Sequence, residues 1–280
     1  MLIAAPSASP ARQPATFSSF GTPPRRTEIV AHRGWHDGTA PYENTIAAYR
    51  RAIALGVDLV ETDVHRTLDG ILVLHHDASI DGRSIARTRY AELPLLPDGQ
   101  QMNTLQQLVE LTAATGTRTK LLVETKHDGF EAEIVATLRS RLQPGQYELM
   151  SFDLDAVRAF RELAPDSKVG VLFGLMPDWQ TGSWPISGAA MVDKARKLGV
   201  DFVAIDKWIA SDDRIGALAK AGFDVAIWTV DKQSHLEKFL RDPRVTRIIT
   251  DHPDLAKDLR DRTAPTGSLA AGRWRELAAA

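Results

Sequence analysis

Residues 28–77 read EIVAHRGWHDGTAPYENTIAAYRRAIALGVDLVETDVHRTLDGILVLHHD. Three short β-type runs within them close on polar side chains that a buried strand has no packing reason to carry. The first, EIVAHRG, ends in His32, Arg33 and Gly34. The second, DLVETDVH, sets Glu61 and Asp63 on one face, because side chains two apart on a strand point the same way. The third, ILVLHHD, brings His76 and Asp77. Two histidines, a carboxylate pair and an arginine so close in sequence suggest a metal-assisted acid–base site for an anionic substrate.

Outward from this stretch, β-like runs alternate with helical periods, the pattern of a parallel α/β fold. Strand windows fall at 28–33, 58–64, 71–75, 120–125, 147–151, 168–173, 201–205, 224–229 and 246–250. Helical windows fall at 44–55, 104–114, 130–142, 154–163, 189–198, 212–221, 233–241 and 253–261. Asn103 or Thr104 and Asp153 supply N-cap chemistry, and Gly56, Gly199 and Gly222 sit where helices should stop. The windows 58–64 and 71–75 are too close for a parallel crossover, which takes about a dozen residues. They are predicted to form a hairpin turning at Leu68-Asp69-Gly70, with Asp-Gly as the turn signal. A two-residue loop at Asp69-Gly70 would set His76 opposite Asp63, and one at Leu68-Asp69 would set it opposite Glu61. Removing the returning strand leaves eight, the count of a TIM (β/α)8 barrel carrying a hairpin insertion after its second strand.

Length alone admits one α/β barrel or two small domains. The net charge of −2 gives no reason to expect nucleic acid or a polybasic membrane patch. The chain has no cysteine, which excludes disulfides and thiolate metal ligands. No apolar run reaches the ~18 residues of a bilayer span. Residues 1–26 are rich in Pro, Ser and Ala, and Pro6 and Pro10 interrupt any signal-like apolar core. They read as a flexible extension, with a degraded or truncated signal as the other reading. Residues 27–262 read as the barrel and 263–280 as a tail. The absence of cysteine fits a cytoplasmic protein, whereas a degraded signal in the extension would make it an exported one.

The stretch resembles the glycerophosphodiester phosphodiesterase family, a branch of the TIM-barrel phosphodiesterases that also includes phosphatidylinositol-specific phospholipase C. The resemblance rests on His32-Arg33-Gly34, Glu43-Asn44-Thr45, Glu61-Thr62-Asp63, Asp69-Gly70 and His76-Asp77. It continues through Glu124-Thr125-Lys126, Trp228-Thr229-Val230 and Thr250-Asp251. These short motifs keep the family's order and spacing over roughly residues 28 to 260. The resemblance implies a metal-dependent phosphodiesterase that cleaves a glycerophosphodiester to glycerol 3-phosphate and an alcohol.

Glu61, Asp63 and Glu124 are then the expected metal ligands, with carboxylate oxygens suited to Mg²⁺ or Ca²⁺ and admitting Mn²⁺. Singly, such acids at strand ends cap helices or pair with surface bases. Three of them inside apolar strands would be costly to bury without a cation. His32 and His76 match the family's two catalytic histidines, and imidazole suits proton transfer near neutral pH. Asp77 either orients a ring or caps the next turn, with the cap slightly favoured. His36, His65 and His75 are alternatives. Strand alternation sends His75 away from His76, whereas His65 shares a face with Asp63.

Arg33 and Lys126 are expected to hold the phosphate, Lys126 because the family has a lysine two residues after its third acid. Glu43 matches the family's Pro-Glu-Asn-Thr motif, although Tyr42 precedes it here with Pro41 one position earlier. It could bind metal or substrate hydroxyls, or cap the helix beginning near Thr45. The family's Arg-Thr-Thr element is altered to ASIDGRSIART. Trp35, Trp179, Trp184, Trp208 and Trp228 fall in loops or strand ends on the predicted active face. There they could stack on an alcohol moiety or, for Trp228, simply pack in the core. Three rivals share these residues. One is a transferase or lyase acting on a sugar- or lipid-type phosphodiester. Another is an amidohydrolase-type barrel using Glu61, Asp63 and His65, and the last is a barrel that binds phosphodiesters without turnover.

Overall fold

A computed structural model describes residues 26–38, 40, 42–175 and 186–263. The expected extension 1–26 and tail 263–280 thus lie almost wholly outside the described residues. Strands are β1 (Glu28–Ala31), β2 (Leu59–Arg66), β3 (Leu72–Leu74), β4 (Ser79–Ile80), β5 (Arg83–Ser84) and β6 (Lys120–Thr125). They continue as β7 (Tyr147–Ser151), β8 (Lys168–Phe173), β9 (Phe202–Asp206), β10 (Asp224–Trp228) and β11 (Arg247–Thr250). Helices are α1 (Ile46–Leu55), α2 (Leu105–Thr115), α3 (Glu131–Arg139), α4 (Leu154–Leu163), α5 (Gly188–Leu198), α6 (Asp212–Lys220), α7 (Gln233–Leu240) and α8 (Pro253–Thr263).

Eight strands are parallel in the order β1-β11-β10-β9-β8-β7-β6-β2, and β1 also pairs with β2 through Val30 and Leu59, which closes the barrel. Thr45, Thr104 and Asp153 cap α1, α2 and α4, and Gly56 and Gly199 end α1 and α5 in left-handed backbone. β3 runs antiparallel to β2, as the short spacing predicts. The turn falls where expected, at Leu68-Asp69-Gly70, but its loop is one residue longer than either register considered. His65 pairs with Val73 and Thr67 N–H bonds to Ile71 O, so the loop is the three residues Leu68, Asp69 and Gly70. Gly70 takes the positive φ of 84° that such a loop requires. The register sum of this pairing sets His76 level with Thr62, midway between the two predicted positions. The tight Asp-Gly turn occurs instead at Asp81-Gly82, joining β4 to β5 within the altered element.

Alternation along the strands builds the barrel interior in layers. Val30, Leu59, Leu122, Met150, Leu172, Phe202, Ala204, Ala226 and Ile249 form one buried cluster drawn from all eight strands. Gly170 makes room for it: a Cβ there would lie 2.2 Å from Phe202 Cε2. Two residues earlier on the same faces stand Glu28, Lys120, Glu148, Asp224 and Arg247, an ionic floor. Arg247 is fully buried between Glu28 (2.7 Å) and Glu148 (3.0 Å), with its guanidinium over Phe202. Two residues later come His32, Glu61, Glu124, Trp228 and Asp251. One period-two pattern therefore runs from charged floor through apolar middle to polar mouth. A second, larger apolar layer lies between strands and helices. Among the described residues, no helix is long and apolar enough to cross a membrane.

Candidate active site

β1 and β2 carry most of the site. After β1 the chain turns sharply: Arg33 has φ 53° and Gly34 φ 88°. A Cβ on Gly34 would meet the Ala48 backbone and side chain at 2.8 Å, so only glycine lets this turn lie against α1. Arg33 holds its uncommon left-handed backbone through two bonds. Its N–H donates to Glu61 Oε2 (2.9 Å), and its carbonyl accepts from the Asn44 N–H (2.9 Å).

Glu61 and Asp63 share a face of β2, and Glu124 is the register partner of Asp63 on β6. The three are buried, and each offers an oxygen within 4.8 Å of the others'. Lys126 Nζ reaches Asp63 Oδ1 at 2.7 Å and Glu124 Oε1 at 2.6 Å. Arg33 Nε lies 3.1 Å from Asp63 Oδ2, and its Nη1 grips both oxygens of Glu43 at 2.9 and 3.0 Å. Glu43 is therefore an ion-pair partner rather than the helix cap, which is Thr45. Asn44 completes the support: its amide donates to Asp63 Oδ2 (2.9 Å), and its oxygen accepts from Tyr49 OH (2.7 Å).

The acids differ in electrostatics. Burial would raise the Asp63 carboxyl, but Lys126 and Arg33 outweigh it and hold it well below the usual carboxylate range. Burial, with the charges of Asp63 and Glu124, pushes Glu61 well above that range, and Arg33 and Lys126 only partly offset this. Glu61 Oε1 is buried without a hydrogen-bond partner. With all four ionised, Glu43, Glu61, Asp63 and Glu124 against the two bases would leave a formal charge of −2. A hard divalent cation fits this donor set and would meet the orphaned oxygen.

His32 and His76 both line the pocket above the acids, together with Arg33, Glu61, Glu124 and Lys126. The opposite wall is apolar: Met150, Phe152, Leu172, Trp228 and Ile249. His32 Nδ1 lies 2.7 Å from Asp251 Oδ1. Burial opposes ionisation of Asp251, but its hydrogen bond with His32 and the nearby His36 ring hold it far below the ordinary value. An ionised carboxylate only accepts, so His32 carries its proton on Nδ1 and leaves Nε2 free. His76 Nδ1 likewise meets Asp77 Oδ1 at 2.7 Å, so Asp77 orients a ring, against the slight preference for a cap. His65 is buried and donates from Nε2 to the His76 carbonyl (3.1 Å), and burial pushes it down to about 4. It braces the returning strand and is not part of the acid cluster.

A profile of the glycerophosphoryl diester phosphodiesterase family matches residues 32–255. The chain belongs to this family. It is 32% identical over 260 residues to the probable glycerophosphodiester phosphodiesterase 1 of Mycobacterium tuberculosis, covering 82% of this chain and 90% of that one. It is 27% identical to the glycerophosphodiester phosphodiesterase of Caldanaerobacter subterraneus, over 82% of this chain and 96% of the relative. Among solved structures, a glycerophosphodiester phosphodiesterase from Parabacteroides distasonis superposes with TM-score 0.72 at 27% identity, covering 86% of this chain and 99% of that one. An Oleispira antarctica phosphodiesterase in complex with the product sn-glycerol-3-phosphate gives 0.71 at 25% identity, over 84% and 97%. The protein is thus an enzyme of phosphodiester hydrolysis on a TIM barrel.

His32, Arg33, Glu43, Glu61, Asp63, His76, Glu124 and Lys126 come together around the barrel mouth. The tryptophans divide. Trp228 lines the pocket and packs on the interior cluster, and Trp208 is exposed after β9. Trp35 instead joins the strand–helix layer, with the Arg51 guanidinium 4.0 Å over its ring. Trp179 and Trp184 lie outside the described residues. Sequence reasoning quoted Asn44 and Asp251 within the family motifs but assigned neither a specific chemical role. For Asp251 the signal was present, since it follows Ile249 by two and so shares its inward face.

Proposed function

We propose that this phosphodiesterase hydrolyses a glycerophosphodiester to glycerol 3-phosphate and an alcohol, at a site made by the barrel of residues 27–262. Glu61, Asp63 and Glu124 hold one divalent cation, Mg²⁺ or Ca²⁺ with Mn²⁺ admitted, and His32 and His76 are the acid–base pair. The observation carrying the reading is the buried acid cluster with an orphaned Glu61 oxygen, in one pocket with both histidines. The product named with the Oleispira phosphodiesterase supports glycerol 3-phosphate as the retained half.

When bound, the cation supplies Lewis-acid charge for the non-bridging phosphate oxygens. Arg33 and Lys126 add positive charge beside the same oxygens. Water attacks phosphorus as the bond to the alcohol oxygen breaks. One imidazole takes the proton of the attacking water and the other gives a proton to the departing oxygen. Asp251 holds His32 with Nε2 free for this, and Asp77 does the same for His76. Trp228 and Phe152, ring to edge at 5.5 Å, present an apolar wall to the substrate.

The test replaces His32 and His76 singly by Ala and follows a glycerophosphodiester by phosphorus NMR. Turnover should fall by about 10²–10⁴ while substrate still binds. Near-normal rates remove the histidines from the chemistry. A stable new diester or cyclic phosphate would replace hydrolysis by transfer or cyclisation.

A further inference from the structure

His36 is a third imidazole at the mouth that the reaction above does not use. It is buried, with 8% of its surface exposed, in the loop after β1. Its Nε2 lies 3.4 Å from Asp251 Oδ1, the oxygen that His32 Nδ1 meets at 2.7 Å. The alignment there falls short of a hydrogen bond, so His36 Nε2 is buried with this ion-pair contact but no hydrogen-bond partner. A ring nitrogen buried in this state is unfavourable for the fold, so its placement calls for a reason.

The geometry points to His36 as a positioning residue for the acid–base step: a second, weaker claimant on the Asp251 carboxylate that limits how firmly Asp251 holds His32. This rests on the reading that His32 transfers a proton. One carboxylate oxygen serves two imidazoles, and what it gives to one is withheld from the other. With His36 as donor, Oδ1 accepts less strongly from His32, and the His32 imidazolium is less stabilised. A protonated His36 acts in the same direction, through repulsion between two nearby cations.

The charged groups bearing on His36 agree with a ring able to change state. Its contact with Asp251 raises it above the ordinary histidine value against the effect of burial, Glu43 adds to the rise, and Arg33 opposes it. From the β10–α7 loop, Asp231 accepts the Asp251 backbone N–H at 3.0 Å, so the main chain beneath the shared carboxylate is anchored. The side chain can therefore favour one imidazole over the other without moving its strand.

The experiment compares the pH dependence of kcat/KM for the unmodified enzyme, His36→Phe and His36→Gln, using glycerophosphocholine with a saturating divalent cation. Phe removes the competing donor and should move the limb belonging to His32 to higher pH by about half a unit to one unit. Gln offers a donor without a titrating charge and should bring the limb back towards the unmodified value. A limb unmoved by either substitution overturns the proposal. If the Phe variant does not fold, the unmodified enzyme decides by ¹⁵N NMR of its imidazoles. The His32 ring shifts should report a second step as His36 titrates, and independent titration of the two rings overturns the coupling. Normal turnover by His32→Ala would instead sink the acid–base reading itself.

Discussion

Asp63 and Glu124 are register partners on neighbouring parallel strands, and the single ammonium of Lys126 lies 2.7 Å from one and 2.6 Å from the other. Burial would lower Lys126, but Glu124 and Asp63 more than reverse this and hold it above the ordinary lysine value. It stays charged at any working pH. Two acids are thereby neutralised in part, and Glu61, two residues before Asp63, is left as the acid with least compensation.

That imbalance predicts how the fold responds to cations. Mg²⁺ or Ca²⁺ at a hundredfold excess over its dissociation constant should stabilise the unmodified protein by about 2.7 kcal/mol. Glu61→Gln should lose most of this increment and nearly all activity. In chelator, Glu61→Gln should exceed the unmodified protein in stability by about 1–3 kcal/mol. The sign with pH follows from a folded value above the unfolded one. The destabilisation by Glu61 is absent below the ordinary carboxylate range and grows as pH rises towards the folded value. Urea unfolding at pH 5 and pH 8 should therefore show the smaller gap at pH 5. An equal gap at both would mean that Glu61 is not strained.

The two His–Asp couples should not be equal. Asp251 is two-thirds buried at its side chain and faces His32, whereas Asp77 is 71% exposed beside His76. Asp251→Asn should lower kcat by about 10²–10⁴, because the amide no longer fixes the Nδ1–H tautomer. Asp77→Asn should cost less than about tenfold, since solvent competes for the same bond. Stability should follow the depressed value of Asp251. Its contribution is present above the ordinary carboxylate range and is lost as pH falls through the folded value. Asp251→Asn should thus lack part of the acid-side loss seen in the unmodified enzyme. Comparable kcat losses for the two variants would contradict the ranking.

Much of this site is legible in the amino-acid sequence. Period-two alternation put Glu61 with Asp63, and the short spacing between the windows 58–64 and 71–75 called for the return of His76. What alternation could not supply was contact across the closed barrel. Asp251 meets His32 only because β11 closes on β1, a pairing of residues more than two hundred apart. The length of the hairpin loop also escaped, because Asp69-Gly70 serves a three-residue loop as readily as a two-residue one. Asn44 reads as a helix-start residue. Only its left-handed backbone, φ 55°, turns its amide onto Asp63. Trp35 misled because a loop position says nothing about which side of the barrel wall a ring takes.

Gly170 tests whether the interior cluster is packed to its limit. Its missing side chain is replaced by the Phe202 ring, 2.2 Å from where a Cβ would stand. Gly170→Ala should destabilise by about 1–3 kcal/mol, through displacement of that ring. Gly170→Ala with Phe202→Leu should recover part of the loss, a coupling that thermal unfolding of the four proteins in the cycle would measure. Additive losses would show that the ring is free to move aside.

The ionic floor should separate stability from activity. Arg247 is fully buried, and its removal as Arg247→Met would leave Glu148, itself 2% exposed, with only the half-exposed Lys120 at 3.5 Å. Breaking one side of such a pair costs about 3–5 kcal/mol, because the remaining charge keeps its burial without its partner. Arg247→Met with Glu148→Gln should regain much of that, since the second substitution removes the stranded charge. The floor and the catalytic mouth lie at opposite ends of the same strands, with the apolar layer of Val30, Leu122, Met150 and Ile249 between them. At a temperature where both variants are folded, kcat should therefore stay within about twofold of the unmodified enzyme, as expected for changes at the stability face of such a barrel. A large kcat loss in a folded Arg247→Met protein would show that the middle layer transmits the floor's geometry to His32 and Glu61.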